Sequence, residues 1–180
     1  YARGVHYPGV FVAAISAPTA DTVDAETMDH VETGVAYSPT ALPLTLRLAL
    51  FRDEASNLLQ WTPLGRVNLA ESDSTGAELT GSGALGHRVA WYGGLTWLDP
   101  DEEVTPRMPE LSVTFGLNIA LLRSLKLSLD TQYVGEQYVF NGRVGAAGRN
   151  ALEPLDDFVV LNARLAYTLT PGETQVELYL

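Results

Sequence analysis

The residues Gly81-Ser82-Gly83-Ala84-Leu85-Gly86 spell G-x-G-x-x-G, the spacing with which a loop brings backbone amides to a pyrophosphate at a helix start. That chemistry needs a helix after the glycines. Arg88–Trp97 instead alternates with period two, so the segment reads as a tight hairpin turn. Asp99-Pro100-Asp101-Glu102-Glu103 gathers carboxylates able to meet Ca²⁺ but lacks the fixed ligand steps around a glycine that an EF-hand uses. It reads as a solvated acidic loop. Glu26, Asp29, His30 and Glu32 form a second acidic group. His30 and Glu32 share one parity of an extended chain and so can touch, an arrangement that more often satisfies a histidine than it holds a metal. His6 falls in a loop, His87 in a turn, and His30 has no serine nearby on its own face. Nucleophilic catalysis, which needs a base within hydrogen-bond reach, therefore has little to stand on, and no enzyme is expected. The absence of cysteine removes disulfides, thiolate nucleophiles and Cys-bearing metal sites together. No catalytic residue, cofactor or metal site is expected.

Ligand capture is the remaining chemistry. Arg3, Arg52, Arg143 and Arg149 fall in or near long connections, and a guanidinium fork suits bidentate capture of an anion. Tyr138, Phe140 and Asn141 offer an aromatic wall, with plain loop packing as the simpler reading. The candidate ligand-binding residues are Arg3, Arg52, Tyr138, Arg143 and Arg149.

The elements that position these residues follow from composition and period. The 180 residues fit one domain or a piece of a larger one. Eleven Lys and Arg against 22 Asp and Glu leave a net charge of −11, with Lys126 the single lysine, which argues against a grip on nucleic acid. Apolar residues make up 46% and charged residues 18%, too greasy for disorder. No run approaches the roughly 18 uncharged apolar residues that a spanning helix needs, and the first residues are no signal peptide. The sequence starts on Tyr1-Ala2-Arg3 and stops inside an alternating pattern, so it is expected to be an excerpt of a longer chain.

From Leu111 to Leu121 large apolar residues occupy every odd position and small or polar ones every even position. Only an extended strand turns that pattern into one apolar and one polar face. Val31–Tyr37, Leu42–Leu50, Thr75–Ser82, Arg88–Trp97, Leu125–Leu129, Val159–Leu169 and Gln175–Leu180 follow the same rule, giving about eight strands and no convincing helix. Glu32, Arg47, Glu78, Arg88, Lys126, Asp130, Arg164 and Glu177 all fall on the parity opposite the large apolar residues, while Phe51, Phe158 and Val160 break the pattern.

A soluble sandwich also alternates, but it has no need of strands as long as the Leu125–Phe140 run promises. About 9–11 tilted residues cross a bilayer. Connections alternate short and long: Ser38–Ala41, Gly83–Gly86, Leu122–Ser124 and Thr170–Glu173 are short, Gln60–Gly65 is medium, and Asp99–Pro106 and Asn141–Asp157 are long. Tight turns on one rim and long loops on the other describe an outer-membrane barrel. Tyr37, Trp91 and Tyr167 near the short turns, with Trp97 and Tyr133 near the long loops, form two aromatic girdles. Glu71 and Asp73 share the apolar parity but lie near the long-loop end, where they would project above the hydrocarbon.

Ordered motifs make the pattern specific. Glu26-Thr27-Met28-Asp29-His30-Val31-Glu32-Thr33-Gly34 resembles the P-E-x-x-x-x-x-E-x-G stretch of the late barrel of TonB-dependent outer-membrane receptors, with Ala25 in place of the proline. Arg3–Gly9 is similar to the loop before it, and Leu50–Leu59 to the rising strand after it. Asn68-Leu69-Ala70-Glu71 with Gly76-Ala77-Glu78-Leu79 is similar to the family's N-x-G/A…G-x-E-L pattern. Leu95–Asp99, Tyr133-Val134-Gly135 and Leu161–Arg164 continue the order across nearly the whole chain.

The resemblance implies an antiparallel transmembrane β-barrel section, residues 1–180 being part of one barrel domain of about 22 strands. It implies a bacterial outer-membrane location and energised uptake of a scarce nutrient such as an iron–siderophore or cobalamin. The partners implied are membrane lipid and lipopolysaccharide, the parent's own N-terminal plug domain, the TonB complex acting through that plug, and a small nutrient ligand. The plug and the final strand are expected outside this chain. A passive porin-like channel and a soluble β-sandwich binding module are the alternatives. Mixed signs on the polar parity favour a plugged barrel over an open pore, whose constriction would carry one dominant sign.

The face assignment is testable. Leu117→Arg on the lipid parity should cost the refolded parent barrel about 2–4 kcal/mol in a bilayer refolding assay, and Asn118→Arg clearly less. Equal costs would contradict the assignment.

Overall fold

Alternating residues become strands throughout. The protein, described from a computed structural model, is defined over residues 1–7, 23–62, 65–100, 107–144, 150–170 and 174–180. In chain order the strands are β1 (Ala2–His6), β2 (Glu26–Tyr37), β3 (Leu44–Thr62), β4 (Gly65–Leu85), β5 (Val89–Asp99), β6 (Leu111–Ala120), β7 (Leu125–Val134), β8 (Gln137–Val144), β9 (Asn150–Leu155), β10 (Phe158–Leu169) and β11 (Val176–Tyr179). No helix occurs among the described residues.

Nine strands form one antiparallel meander in the order β1-β2-β3-β4-β5-β6-β7-β10-β11, and β8 with β9 makes a separate hairpin between β7 and β10. Every segment read as a strand from its alternation contains one. Three additions bring the number above the eight expected. β1 is too short to show a period, and β8 and β9 lie where a continuous strand and a long loop were expected. The Leu125–Phe140 run breaks because the Gly135 amide donates to the Leu111 carbonyl at 2.8 Å, closing the β6–β7 ladder before the chain departs. The medium connection expected at Gln60–Gly65 is mostly strand, since β3 runs to Thr62 and β4 begins at Gly65. Of the G-x-G-x-x-G residues only Gly86, at φ 66°, lies in the turn; the others end β4.

Register carries one parity across the whole meander. The pairs Glu32↔Phe51, Arg47↔Thr80, Glu78↔Thr96, Asn118↔Ser128, Asp130↔Asn162 and Thr168↔Glu177 place the strand charges on a single face. Leu48↔Leu79, Leu79↔Leu95, Leu95↔Val113 and Leu117↔Leu129 build the opposite one. Neither face is roofed by protein: the buried apolar residues among those described are Leu98, Val134 and Ala166, whereas Val35 is 64%, Leu50 52% and Leu161 77% exposed. A soluble sandwich would bury those leucines beneath a second sheet. No second sheet covers them among the described residues, which does not fit a sandwich and fits a wall whose apolar face is turned to hydrocarbon.

β3 and β4 have 19 and 21 residues, roughly twice the 9–11 that cross a bilayer, so their upper halves rise beyond it on the long-loop side. Above Ala55 the β3–β4 register shifts at a bulge, with Asn57 at φ 59°.

Two aromatic residues on the polar face lie over glycines. Phe51 sits opposite Gly76, and a Cβ built on that glycine would overlap the phenyl ring. This makes room for Phe51, one of the sequence exceptions, on the polar side. Tyr92 sits opposite Gly116 in the same way and crosses it so that its hydroxyl donates to Asp130. Such covering of a glycine by a cross-strand ring fills the gap left by the missing side chain. Phe158 and Val160 remain half exposed on this face, and nothing in the structure explains them.

Gly116→Ala should displace Tyr92 from Asp130 and cost about 1–3 kcal/mol in urea unfolding of the parent barrel. In a Tyr92→Ala background the same change should be close to neutral, and a double-mutant cycle without coupling would rule out the contact.

Candidate functional site

The upper polar face is built by a few side chains that tie several strands at once. Glu26, at the start of β2, places Oε2 at 2.7 Å from His6 Nδ1 on β1, while its Oε1 accepts the Leu59 amide of β3 at 2.9 Å. One carboxylate thus holds the strands on both sides of its own. Asn57 enters the left-handed region, which Asn tolerates better than most residues because its short polar side chain bonds locally. Asn68 on β4 uses both ends of its amide: Oδ1 accepts the Asp24 amide at 2.8 Å, and Nδ2 donates to the Asp24 and Asn57 carbonyls at 3.1 and 2.5 Å. The segment entering β2 is thereby pinned to the bulge.

Below this clamp, His30 Nδ1 lies 2.6 Å from Asp53 Oδ1 and Nε2 lies 3.6 Å from Glu32, with the imidazole stacked on Phe51 at 6.1 Å. The proximity of His30 and Glu32 follows from their shared parity. Asp53 was not singled out, because its pairing with His30 depends on the β2–β3 register. Arg164 binds Glu177 at 2.6 Å and lies over the Tyr179 ring at 4.5 Å. Asp29, by contrast, takes the other parity and separates from its sequence neighbours His30 and Glu32. Among the described residues no three His, Asp or Glu side chains converge to hold a metal.

The ligand candidates divide between two places. Arg3 and Arg52 lie on the apolar parity above the Trp97 level, not on the polar face. Arg52 Nε donates to Asp73 at 3.0 Å and its guanidinium also reaches Glu54 at 3.0 Å, while Arg3 Nε is 3.7 Å from Asp29, which accepts the Tyr1 hydroxyl at 2.6 Å. Asp29↔Glu54↔Asp73 form one row across β2, β3 and β4, with Asp73 beside Arg52. Tyr138 lies on β8, its hydroxyl 3.1 Å from Glu136 and its carbonyl accepting the Arg107 amide at 2.8 Å. Arg143 belongs to the same strand, but its side chain, like Arg149 and the Asp101–Glu103 carboxylates, lies outside the described residues.

A meander with one uncovered apolar face, one charged face of mixed sign, tight turns on one rim and tall hairpins on the other is the wall of a transmembrane β-barrel. The family model described as TonB dependent receptor-like, beta-barrel, matches residues 1–180, and the chain belongs to that family. Its members are receptors and transporters of the bacterial outer membrane, so this chain is a section of an outer-membrane barrel. Solved structures share the fold. A mutant of the ferric enterobactin receptor PfeA from Pseudomonas aeruginosa is 16% identical with a TM-score of 0.68, the match covering 92% of this chain and 29% of that one. The siderophore receptor PiuA from Acinetobacter baumannii is 21% identical with a TM-score of 0.62, covering 81% and 23%. The ferric yersiniabactin uptake receptor FyuA from Yersinia pestis is 18% identical with a TM-score of 0.63, covering 87% and 28%. The chain thus spans less than a third of these relatives. No curated protein matches it in sequence.

The clamp makes a definite prediction. Asn68→Ala should cost about 1–3 kcal/mol and raise amide exchange at Leu59 and Asp24. Asn68→Asp should be at least as harmful, since it sets an oxygen against two carbonyls. Hydrogen exchange of the parent receptor, indistinguishable between wild type and Asn68→Asp, would remove Asn68 from this role.

Proposed function

We propose that this chain is part of the barrel domain of a TonB-dependent receptor that takes up an iron–siderophore complex, with a plug domain of the same polypeptide seated against its polar face. The observation that carries this reading is the polar face itself. Its charges are mixed in sign, and some pair across strands, as at His30–Asp53 and Arg164–Glu177, a wall suited to a polypeptide and not to an ion stream. The similarity of the fold to receptors for ferric catecholates and other siderophores supports the substrate class. The apolar face meets membrane lipid. Above it, the Arg3, Asp29, Glu54, Arg52 and Asp73 array stands at the level of outer-leaflet headgroups, where lipopolysaccharide phosphates lie.

Ligand contact belongs to the segment between β7 and β10, which carries Tyr138, Arg143 and Arg149. Arg3 and Arg52, engaged by carboxylates on the lipid side, hold the rim. Arg143→Ala with Arg149→Ala should weaken binding of an anionic ferric siderophore roughly ten- to hundred-fold, the scale of a charge-assisted hydrogen bond, and Arg52→Ala should leave it unchanged.

The full-length parent, produced in a Gram-negative host stripped of its own iron receptors, should restore uptake of radiolabelled iron supplied as siderophore complexes, and uptake should vanish when TonB is deleted. Uptake that survives the deletion would point to a passive channel instead.

A further inference from the structure

The polar face carries cations that the pairing described above does not use. Arg88 and Lys126 flank Ala120 on one row at the short-turn rim: the Ala120 amide donates to the Arg88 carbonyl at 2.7 Å, Ala120 pairs with Lys126, and Lys126 pairs with Ala166. Small residues between long cations leave a recess of about 390 Å³, lined by Ala84, His87, Arg88, Asn118, Lys126 and Ser128 among others and by no carboxylate. Among the described residues neither Arg88 nor Lys126 enters an ion pair, although the chain carries 22 acidic residues against 11 basic ones. Asn118 and Ser128 are joined at 2.8 Å beside it, which fixes that wall of the recess.

We infer that this recess is the docking point for Asp or Glu side chains of the polypeptide segment seated inside the barrel, at its periplasmic end. The inference rests on the receptor reading and adds where the inner domain is held. Charge complementarity selects an anion, since two cations with an imidazole nearby have no acid of their own among the described residues. The recess is open, and both cations are exposed, so a free small anion would keep most of its water and gain little. A polypeptide laid across it brings its own wall, excludes that water and presents carboxylates to both cations together. The short-turn rim is the periplasmic one in outer-membrane barrels, so the contact lies where force applied from the periplasm would meet it first.

The test uses the full-length parent in outer membranes, with a photo-crosslinking benzoylphenylalanine placed at His87, inside the recess, or at Asn162, on the same face but on β10. Ultraviolet crosslinking followed by peptide mass spectrometry should yield from His87 a product with a segment of the same polypeptide N-terminal to the barrel, carrying Asp or Glu within a few residues. In the Arg88→Glu, Lys126→Glu variant that product should fall roughly tenfold, as when one side of an interfacial charge pair is lost. Reversing the captured acid to Arg should restore it. A product insensitive to the charge reversal overturns the proposal, and so does capture of barrel peptides alone. If Asn162 captures the inner segment while His87 does not, the recess assignment fails and the receptor reading stands. If neither position captures an N-terminal segment, both fall.

Discussion

Inside hydrocarbon no water is available to a peptide group, so each amide and carbonyl of a crossing segment must find its partner in the protein. The nine-stranded ladder meets this demand by pairing every neighbour antiparallel, and the rest of the structure depends on it. Once the amides are spoken for, the side chains have two directions only, and one residue of slippage would exchange them. The register from β2 to β11 contains no such exchange below the β3–β4 bulge. Leu48, Leu79, Leu95 and Leu129 therefore share one face of the wall, while Glu32, Arg47, Glu78 and Asp130 share the other.

That constraint also explains what could be read from the residues alone. Period two is a property of neighbours along the chain, so the windows around Leu44–Leu50, Leu111–Leu121 and Val159–Leu169 announce both their conformation and their faces. Girdle aromatics such as Trp91 and Trp97 follow from the same count. What depends on register stays hidden. Nothing local in Tyr92 points to Asp130, because the contact exists only across Gly116. His30 and Asp53 are 23 positions apart and become partners through one alignment of β2 on β3. Arg52 looks like a free loop guanidinium until Asp73 is brought opposite its neighbour. β1, β8 and β9 escape for a different reason, being too short or too polar to show a period.

The same reasoning accounts for a fold kept at low sequence identity. Lipid asks for greasiness and ladders ask for backbone, so most wall positions need a side-chain class and not a particular side chain. Identity is demanded only where one residue serves several strands. Glu26 and Asn68 are such residues: each satisfies backbone groups that the bulge at Asn57 and the entry to β2 would otherwise leave without a partner in the ladder. Both fall within stretches that resemble the family's motifs, which gives those stretches a mechanical meaning.

The β8–β9 hairpin satisfies its ladder internally, and the meander closes β7 directly onto β10 beneath it. Among the described residues the Arg107–Tyr138 backbone bond links it to the neighbouring loop. An insertion built this way is a detachable cassette. Evolution, or an engineer, can lengthen it, trim it or graft another in its place without disturbing the β7–β10 ladder of the wall.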